Sequence, residues 1–281
     1  LALRYDLTVP FSKYIAMNKN LKLPYKRYEI GKVFRDGPVK PGRNREFIQC
    51  DVDSVGIEGQ MVEAELISLF VEGYEKLGID IVIKYNNRKI MSGIIECCNI
   101  DESLVKATIT IIDKFEKLSK EEIKEEFLKI GLSEESIEML IKFLSLSFDE
   151  IKQCFEDTEN INLIQGIREM EELNDYIRNL NLEQYVKFSP TLARGQDYYT
   201  GTVFEVYQRN GNIQSSIGGG GRYDNIIGDF IGDGKMYPAC GISFGLDVIF
   251  EILKSEDKFK KTNVSVYVVP MGNKSQALKV A

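Results

Sequence analysis

Between residues 87 and 187 the chain carries no proline, is dominated by Glu, Lys, Leu and Ile, and repeats its apolar residues at helical intervals, as in Ile137, Leu140, Ile141 and Leu144. On either side of this stretch, short apolar runs alternate with turn residues. The pattern predicts an α+β fold: one antiparallel sheet flanked by helices and interrupted by a helical insertion. Ser119-Lys120-Glu121-Glu122 and Ser133-Glu134-Glu135 read as helix starts inside the insertion, each with a serine able to cap the first turn.

Ahead of the insertion, Tyr28 to Arg35 and Phe47 to Val55 read as two paired antiparallel strands. The segment between them, Asp36 to Arg45, is too long for a tight hairpin and rich in Gly, Pro and cationic residues, which makes it a candidate functional loop. A helix is expected over Glu63 to Leu77 and a strand of mostly β-branched residues over Ile79 to Tyr85. Strand patterns resume after Phe188 at Thr202 to Tyr207, Ser216 to Asp224, and Gly241 to Gly245, the last running into a helix. Beyond a charged linker, Asn263 to Pro270 and Gly272 to Ala281 read as a strand and the start of a helix, the opening of a further domain.

Several chemistries are excluded by what the chain lacks. It has no histidine, so it cannot supply a Ser-His-Asp triad, a Cys-His pair or a histidine metal ligand, and acid–base work would fall to carboxylates, tyrosines and lysines. Its 36 basic and 43 acidic residues give a net charge of −7, so any RNA contact has to come from local basic patches. Cys50, Cys97, Cys98, Cys154 and Cys240 are odd in number and form no C-x-x-C pair, as expected of reduced cysteines in a cytoplasmic protein. No apolar run approaches the roughly 20 residues needed to span a bilayer. The first residues, Leu1-Ala2-Leu3-Arg4-Tyr5-Asp6, carry early charges and no initiator methionine, unlike a signal peptide and suggestive of a truncated start.

Four segments in order carry a resemblance. They are Leu3 to Pro10; Phe34-Arg35 with Arg43-x-Arg45-Glu46-Phe47-x-Gln49; Ala193-Arg194-Gly195-Gln196-Asp197-Tyr198-Tyr199-Thr200-Gly201; and Gly218-Gly219-Gly220-Gly221-Arg222-Tyr223-Asp224. Alone, the glycine run is equally a simple strand-to-turn feature, and Phe-Arg is weaker still. Together the four resemble the histidyl-tRNA synthetases, a family of class II aminoacyl-tRNA synthetases, with the second segment similar to class II motif 2 and the third to the histidine-specific signature. The resemblance implies a class II-type antiparallel sheet and a histidine–tRNA ligase. Such an enzyme uses ATP with Mg2+ to convert L-histidine to histidyl-adenylate and passes it to the 3′ end of tRNA-His, as a homodimer.

The chemistry explains the residue types. Attack of a carboxylate on the α-phosphate of ATP brings two anions together, so a site must neutralise charge with fixed cations, and arginine, always protonated and forked, suits this. Arg35, at a strand end, would hold the carboxylate and α-phosphate, and the resemblance gives Arg194 a role in the activation step itself; the alternative for Arg194 is a structural salt bridge. Arg43 and Arg45 would meet ATP phosphates or the tRNA acceptor end, or else be solvated loop charges. By the same resemblance Asp6, Leu7, Thr8, Gln49, Asp53 and Tyr223 surround the histidine ammonium and ring, with Tyr198 and Tyr199 adding a hydroxyl and an aromatic wall. Strand alternation would turn only one of those two tyrosines inward, yet both are expected to contribute from different layers. Gly219, Gly220 and Gly221 would let the backbone approach ATP or tRNA closely. No carboxylate cage for the Mg2+ is visible.

Two departures stand against this pattern. Gly241 to Phe250 resembles class II motif 3, but Val248 occupies the place of its arginine, and motif 1 is expected to precede Leu1. The domain division expected from the resemblance is 1–86 and 188–260 for the catalytic domain, 87–187 for the insertion, and 261–281 for the start of an anticodon-binding domain. The rival reading is a synthetase-like regulatory subunit of ATP phosphoribosyltransferase, which binds histidine without activating it. Retention of Arg35, Arg43, Arg45, Arg194, Tyr198 and Tyr199 favours the enzyme.

Overall fold

A computed structural model describes residues 2–18, 20–39, 42, 44–115, 117–194, 197–211, 213, 215–256 and 258, with a few isolated positions beyond. Seven strands, β1 (Tyr25–Phe34), β2 (Glu46–Val55), β3 (Ile81–Asn87), β4 (Val186–Phe188), β5 (Thr202–Gln208), β6 (Gly218–Arg222) and β7 (Ala239–Gly245), form one sheet in the order β1-β2-β7-β6-β5-β3-β4. Every neighbouring pair is antiparallel except β3 and β4, which run parallel in the register Ile83 to Val186 and Tyr85 to Phe188. The sheet is thus the expected antiparallel one but for that single pair. A parallel return needs a long crossover, and the helical stretch is that crossover.

The strands and helices follow from residue spacing. In β2 the alternating side chains Gln49, Asp51 and Asp53 share one face, while Ile48, Cys50 and Val52 share the other. Helix α1 (Thr8–Met17) starts near the end of the first motif segment, at Thr8, and helix α2 (Met61–Lys76) buries Val62, Leu66, Ile67, Phe70, Val71 and Tyr74 at intervals of three and four. Phe70 meets Phe244 of β7 edge-on at 4.9 Å between ring centroids, and the Tyr74 hydroxyl donates to the Ile217 carbonyl at 2.7 Å. So α2 covers the sheet face opposite Asp51.

Between β3 and β4 lie α3 (Arg88–Cys97), α4 (Glu102–Ile112), α5 (Lys120–Lys129), α6 (Glu134–Phe143), α7 (Phe148–Cys154) and α8 (Ile161–Asn179). One buried apolar cluster runs from α2 and the sheet into these helices, through Ile90, Ile94, Phe127, Ile137, Leu140, Leu163 and Met170 among others. Ser119 caps α5 through a reciprocal pair of bonds with Glu122, and Ser133 caps α6. Ser119→Ala should lower stability by about 1 kcal/mol, read from the midpoint of a urea transition with unchanged slope. After β6 come α9 (Ile226–Ile231) and, directly from β7, α10 (Leu246–Ser255). The strand and helix expected over 263–281 lie outside the described residues.

Candidate active site

A cleft opens on the face of the sheet away from α2. It is lined by Asp6 and Thr8 from the start of α1, Arg35 just past β1, the β2 residues Gln49, Asp51 and Asp53, and Gly219 and Gly220 of β6. Ile242, Ser243 and Gly241 of β7, Tyr223, and the Arg194, Tyr198 and Tyr199 of the segment before β5 complete it.

Among the described residues, the guanidinium groups of Arg35 and Arg194 reach this cleft. Arg35 donates from Nε to the Tyr5 carbonyl at 3.1 Å and lies against the rings of Tyr5 and Phe47, at 4.5 and 5.1 Å. These contacts are neutral and leave its charge to an arriving anion. Arg194 has φ +48°, an unusual conformation for a residue with a Cβ, and its Nη1 lies 3.5 Å from Glu205 on β5. Burial works against its charge, but Tyr199 and Glu205 outweigh it and raise the guanidinium pKa above its ordinary value. The salt bridge weighed for Arg194 therefore exists, yet it is single and long. A Cβ added to Gly219 would stand 2.2 Å from Arg194 Nη1, so only glycine at that point of β6 leaves the guanidinium its place.

Opposite in charge, three carboxylates share the cleft. Asp53 is enclosed by the Tyr223 hydroxyl on Oδ1 at 2.6 Å and by Arg27 on Oδ2 at 3.0 Å. Burial pushes its pKa up, with Arg27 and Tyr223 opposing. Asp6 accepts the Val9 N–H at 3.0 Å on one oxygen and the Tyr198 hydroxyl at 3.4 Å on the other. Asp51 differs: only 3% of it is exposed, and its Oδ1 has no hydrogen-bond partner. Burial drives its pKa to about 7, with the neighbouring Asp53 and Asp6 adding to the rise and Ser243 and Arg27 opposing it. Gln49 Nε2 donates to Ser243 Oγ at 3.0 Å, leaving Gln49 Oε1 buried and equally without a partner.

Of the residues singled out from the sequence, Asp6, Thr8, Arg35, Gln49, Asp53, Arg194, Tyr198, Tyr199, Gly219, Gly220 and Tyr223 converge on the cleft. Tyr198 and Tyr199 lie in a turn ahead of β5 rather than on a strand, so alternation does not apply and both face inward, their rings 4.8 Å apart. Three do not converge. The Leu7 side chain is fully buried, and only its carbonyl serves the site, accepting from Arg27 at 2.9 Å. Gly221 is absent from the lining, and Arg45 folds back within its loop toward the Gly37 carbonyl at 3.2 Å and Asp36 at 3.6 Å. Arg43 lies outside the described residues. The sequence reading missed Asp51 and Ser243, although period-two spacing from Gln49 to Asp53 places Asp51 on the same face.

An α+β sheet of this order, with a strand-loop-strand arginine beside the cleft, is a class II synthetase-like fold. The chain belongs to the histidyl-tRNA synthetase family, which matches residues 1–249. It is 47% identical over 285 residues to histidine–tRNA ligase 1 of Bacillus anthracis and 43% identical over 284 residues to histidine–tRNA ligase 2 of Shouchella clausii, in both cases along 100% of the chain. The crystal structure of histidyl-tRNA synthetase from Nostoc sp. PCC 7120 superimposes with a TM-score of 0.82 at 33% identity, covering 92% of the chain. The chain spans 66% of the Bacillus anthracis protein and 61% of the Nostoc chain. A structure described as an ATP phosphoribosyltransferase regulatory subunit/histidyl-tRNA synthetase from Bacillus halodurans C shares the fold, with a TM-score of 0.74 at 21% identity.

Proposed function

We propose that this chain is the catalytic part of a histidine–tRNA ligase. The observation that carries the reading is the polarity of one cleft: guanidinium groups of Arg35 and Arg194 together with the buried carboxylates of Asp6, Asp51 and Asp53. A free amino acid is a zwitterion, and such a cleft suits both of its charges. The carboxylate would sit between the two arginines, which offset the negative charge that builds as it attacks the α-phosphate of ATP. The new bond joins carboxylate oxygen to phosphorus, the bond to pyrophosphate breaks, and histidyl-adenylate results. The acyl group then passes to the 3′ end of tRNA-His with release of AMP.

In this reading Asp6, Thr8, Gln49, Asp53, Tyr198, Tyr199 and Tyr223 hold the amino acid. Tyr223 stays a hydrogen-bond donor because burial and Asp53 raise its pKa well above the ordinary range. Arg43 and Arg45 serve ATP phosphates or the tRNA end, and residues 87–187 act as a helical insertion within a catalytic domain of 1–86 and 188–260, with an anticodon-binding domain opening at 261. Magnesium would arrive on the triphosphate, since no group of three potential metal-ligating side chains is found among the described residues. A homodimer in the cytoplasm completes the proposal; no helix among the described residues is long and apolar enough to cross a membrane.

Histidine-dependent ATP–pyrophosphate exchange on the full-length protein, screened against all amino acids, tests this. Exchange with histidine alone is expected. Histidine binding without exchange would instead support the regulatory-subunit reading and point to Val248, which packs against Gly42 of the loop where a family arginine would stand.

A further inference from the structure

We infer that Arg88, in the first turn of α3, is a positioning residue for Arg194: it fixes the peptide unit that carries the cleft arginine, and so ties the helical stretch to the chemistry. The inference rests on the proposed role of Arg194 and goes further in naming what holds that side chain in place. Arg194 needs holding. Its φ of +48° is one that a residue with a Cβ keeps only where its surroundings impose it, and its ion pair with Glu205 is long, at 3.5 Å.

The surroundings that impose it come from the end of β3. The Tyr85 carbonyl accepts the Ser189 N–H at 2.9 Å, and Asn86 Nδ2 donates to the carbonyls of Pro190 and Leu192, both at 3.1 Å. Arg88 Nη1 then donates to the Ala193 carbonyl at 3.1 Å, while the Arg88 N–H donates to the Gly201 carbonyl at 2.9 Å, so one residue grips the chain on both sides of the turn. The Ala193 carbonyl lies in the planar unit whose nitrogen belongs to Arg194, so holding that oxygen restrains the φ rotation of the arginine. Arg88 itself does not line the cleft. Burial pushes its pKa down, with Asp197 opposing, so its charge is kept against a desolvation cost that the neutral carbonyl offsets only in part. Helix α3 is in turn anchored to α8. Asn87 caps it by accepting the Lys89 N–H at 2.9 Å, and both Asn87 Nδ2 and Lys89 Nζ reach Glu169. The two helices cross closely at Gly166, where an added Cβ would stand 2.8 Å from the Ile90 nitrogen. An exposed and therefore weaker tie joins Lys106 of α4 to Asp197 at 2.6 Å.

Histidine-dependent pyrophosphate exchange by the full-length protein tests this through a double-mutant cycle. Arg88→Ala is expected to lower kcat about 10- to 100-fold, the cost of misplacing a site group by about 1 Å, with the KM for histidine within about twofold of wild type. Arg88→Lys keeps a cationic donor for the Ala193 carbonyl and should recover most of the loss. Added to Arg194→Ala, Arg88→Ala should lower kcat by less than about a further twofold, because it acts only through the arginine already removed. Should Arg88→Ala not fold, Arg88→Met, which keeps an apolar stem, enters the same cycle. Unfolding of both variants, wild-type kcat in either, a KM that rises as much as kcat falls, or losses that multiply in the double variant would overturn the inference while leaving the role of Arg194 standing. No exchange by the wild-type protein would overturn the proposed function, and the role of Arg88 with it.

Discussion

Arg194→Ala is expected to lower histidine-dependent pyrophosphate exchange by about 10²- to 10³-fold, the loss typical when one fixed donor to developing charge is removed. The fall should appear mainly in kcat, because charge on the reacting phosphate is greatest in the transition state, whereas Arg35→Ala should also raise the KM for histidine. Arg194→Lys should recover little. A lysine is a point donor on a flexible stem and cannot reproduce the fork, and the place beside Gly219 is cut for a flat guanidinium. Gly219→Ala is the companion measurement: an added methyl 2.2 Å from Nη1 must displace the arginine, so it should reproduce much of the defect with Arg194 still in place. Full activity in Arg194→Ala would remove Arg194 from the chemistry and leave it as the Glu205 salt bridge alone.

The second large effect concerns stability. Arg222 is almost fully buried, as is Glu63, and the two meet at Nε to Oε1 2.5 Å and Nη2 to Oε2 2.7 Å, with Nη2 also donating to the Gly59 carbonyl at 2.6 Å. Asp224 closes the set at 3.3 Å. Arg222→Ala leaves Glu63 charged and enclosed without a partner, and should cost about 3–5 kcal/mol, measured as a lowered denaturant midpoint. Replacing both partners, as Glu63→Leu with Arg222→Met, should recover most of the loss, since the penalty lies in the uncompensated charge rather than in the missing attraction. The network anchors α2 to β6 immediately beside Tyr223, so the single variant should also weaken histidine binding, and the double variant less so.

Much of this architecture was legible in residue spacing. The β1 and β2 strands, the apolar stripe of α2, the capping serines of α5 and α6, and the passage from β7 into α10 all rest on local patterns that packing reinforces. The candidate site residues were legible through the family resemblance carried by strings such as Arg194 to Gly201, and most of them line one cleft. What escaped was set by contacts distant in sequence. The pairing of β3 with β4 joins residues 103 apart, as in Ile83 with Val186, and nothing local announces it. Tyr198 and Tyr199 look like strand residues, yet they lie ahead of β5, outside the strand, and both face the cleft. Asp51 was passed over although its neighbours at two-residue spacing were not, because its distinguishing mark, an oxygen with no partner, exists only once β7 supplies Ser243 across the sheet.

The two sheet neighbours of β3, namely β4 and β5, both follow the helical stretch in the chain. A ribosome that has just finished β3 at Asn87 must add about 100 residues before Val186 appears, roughly 5–20 s of synthesis at ~5–20 residues per second. Throughout that interval both edges of a strand rich in isoleucine and valine lack their native partners, with α2 available to cover only one of its faces. The nascent chain is therefore most open to mispairing while the helical stretch is being made, and a pause within the codons for α4 to α7 would lengthen that window without altering a single residue.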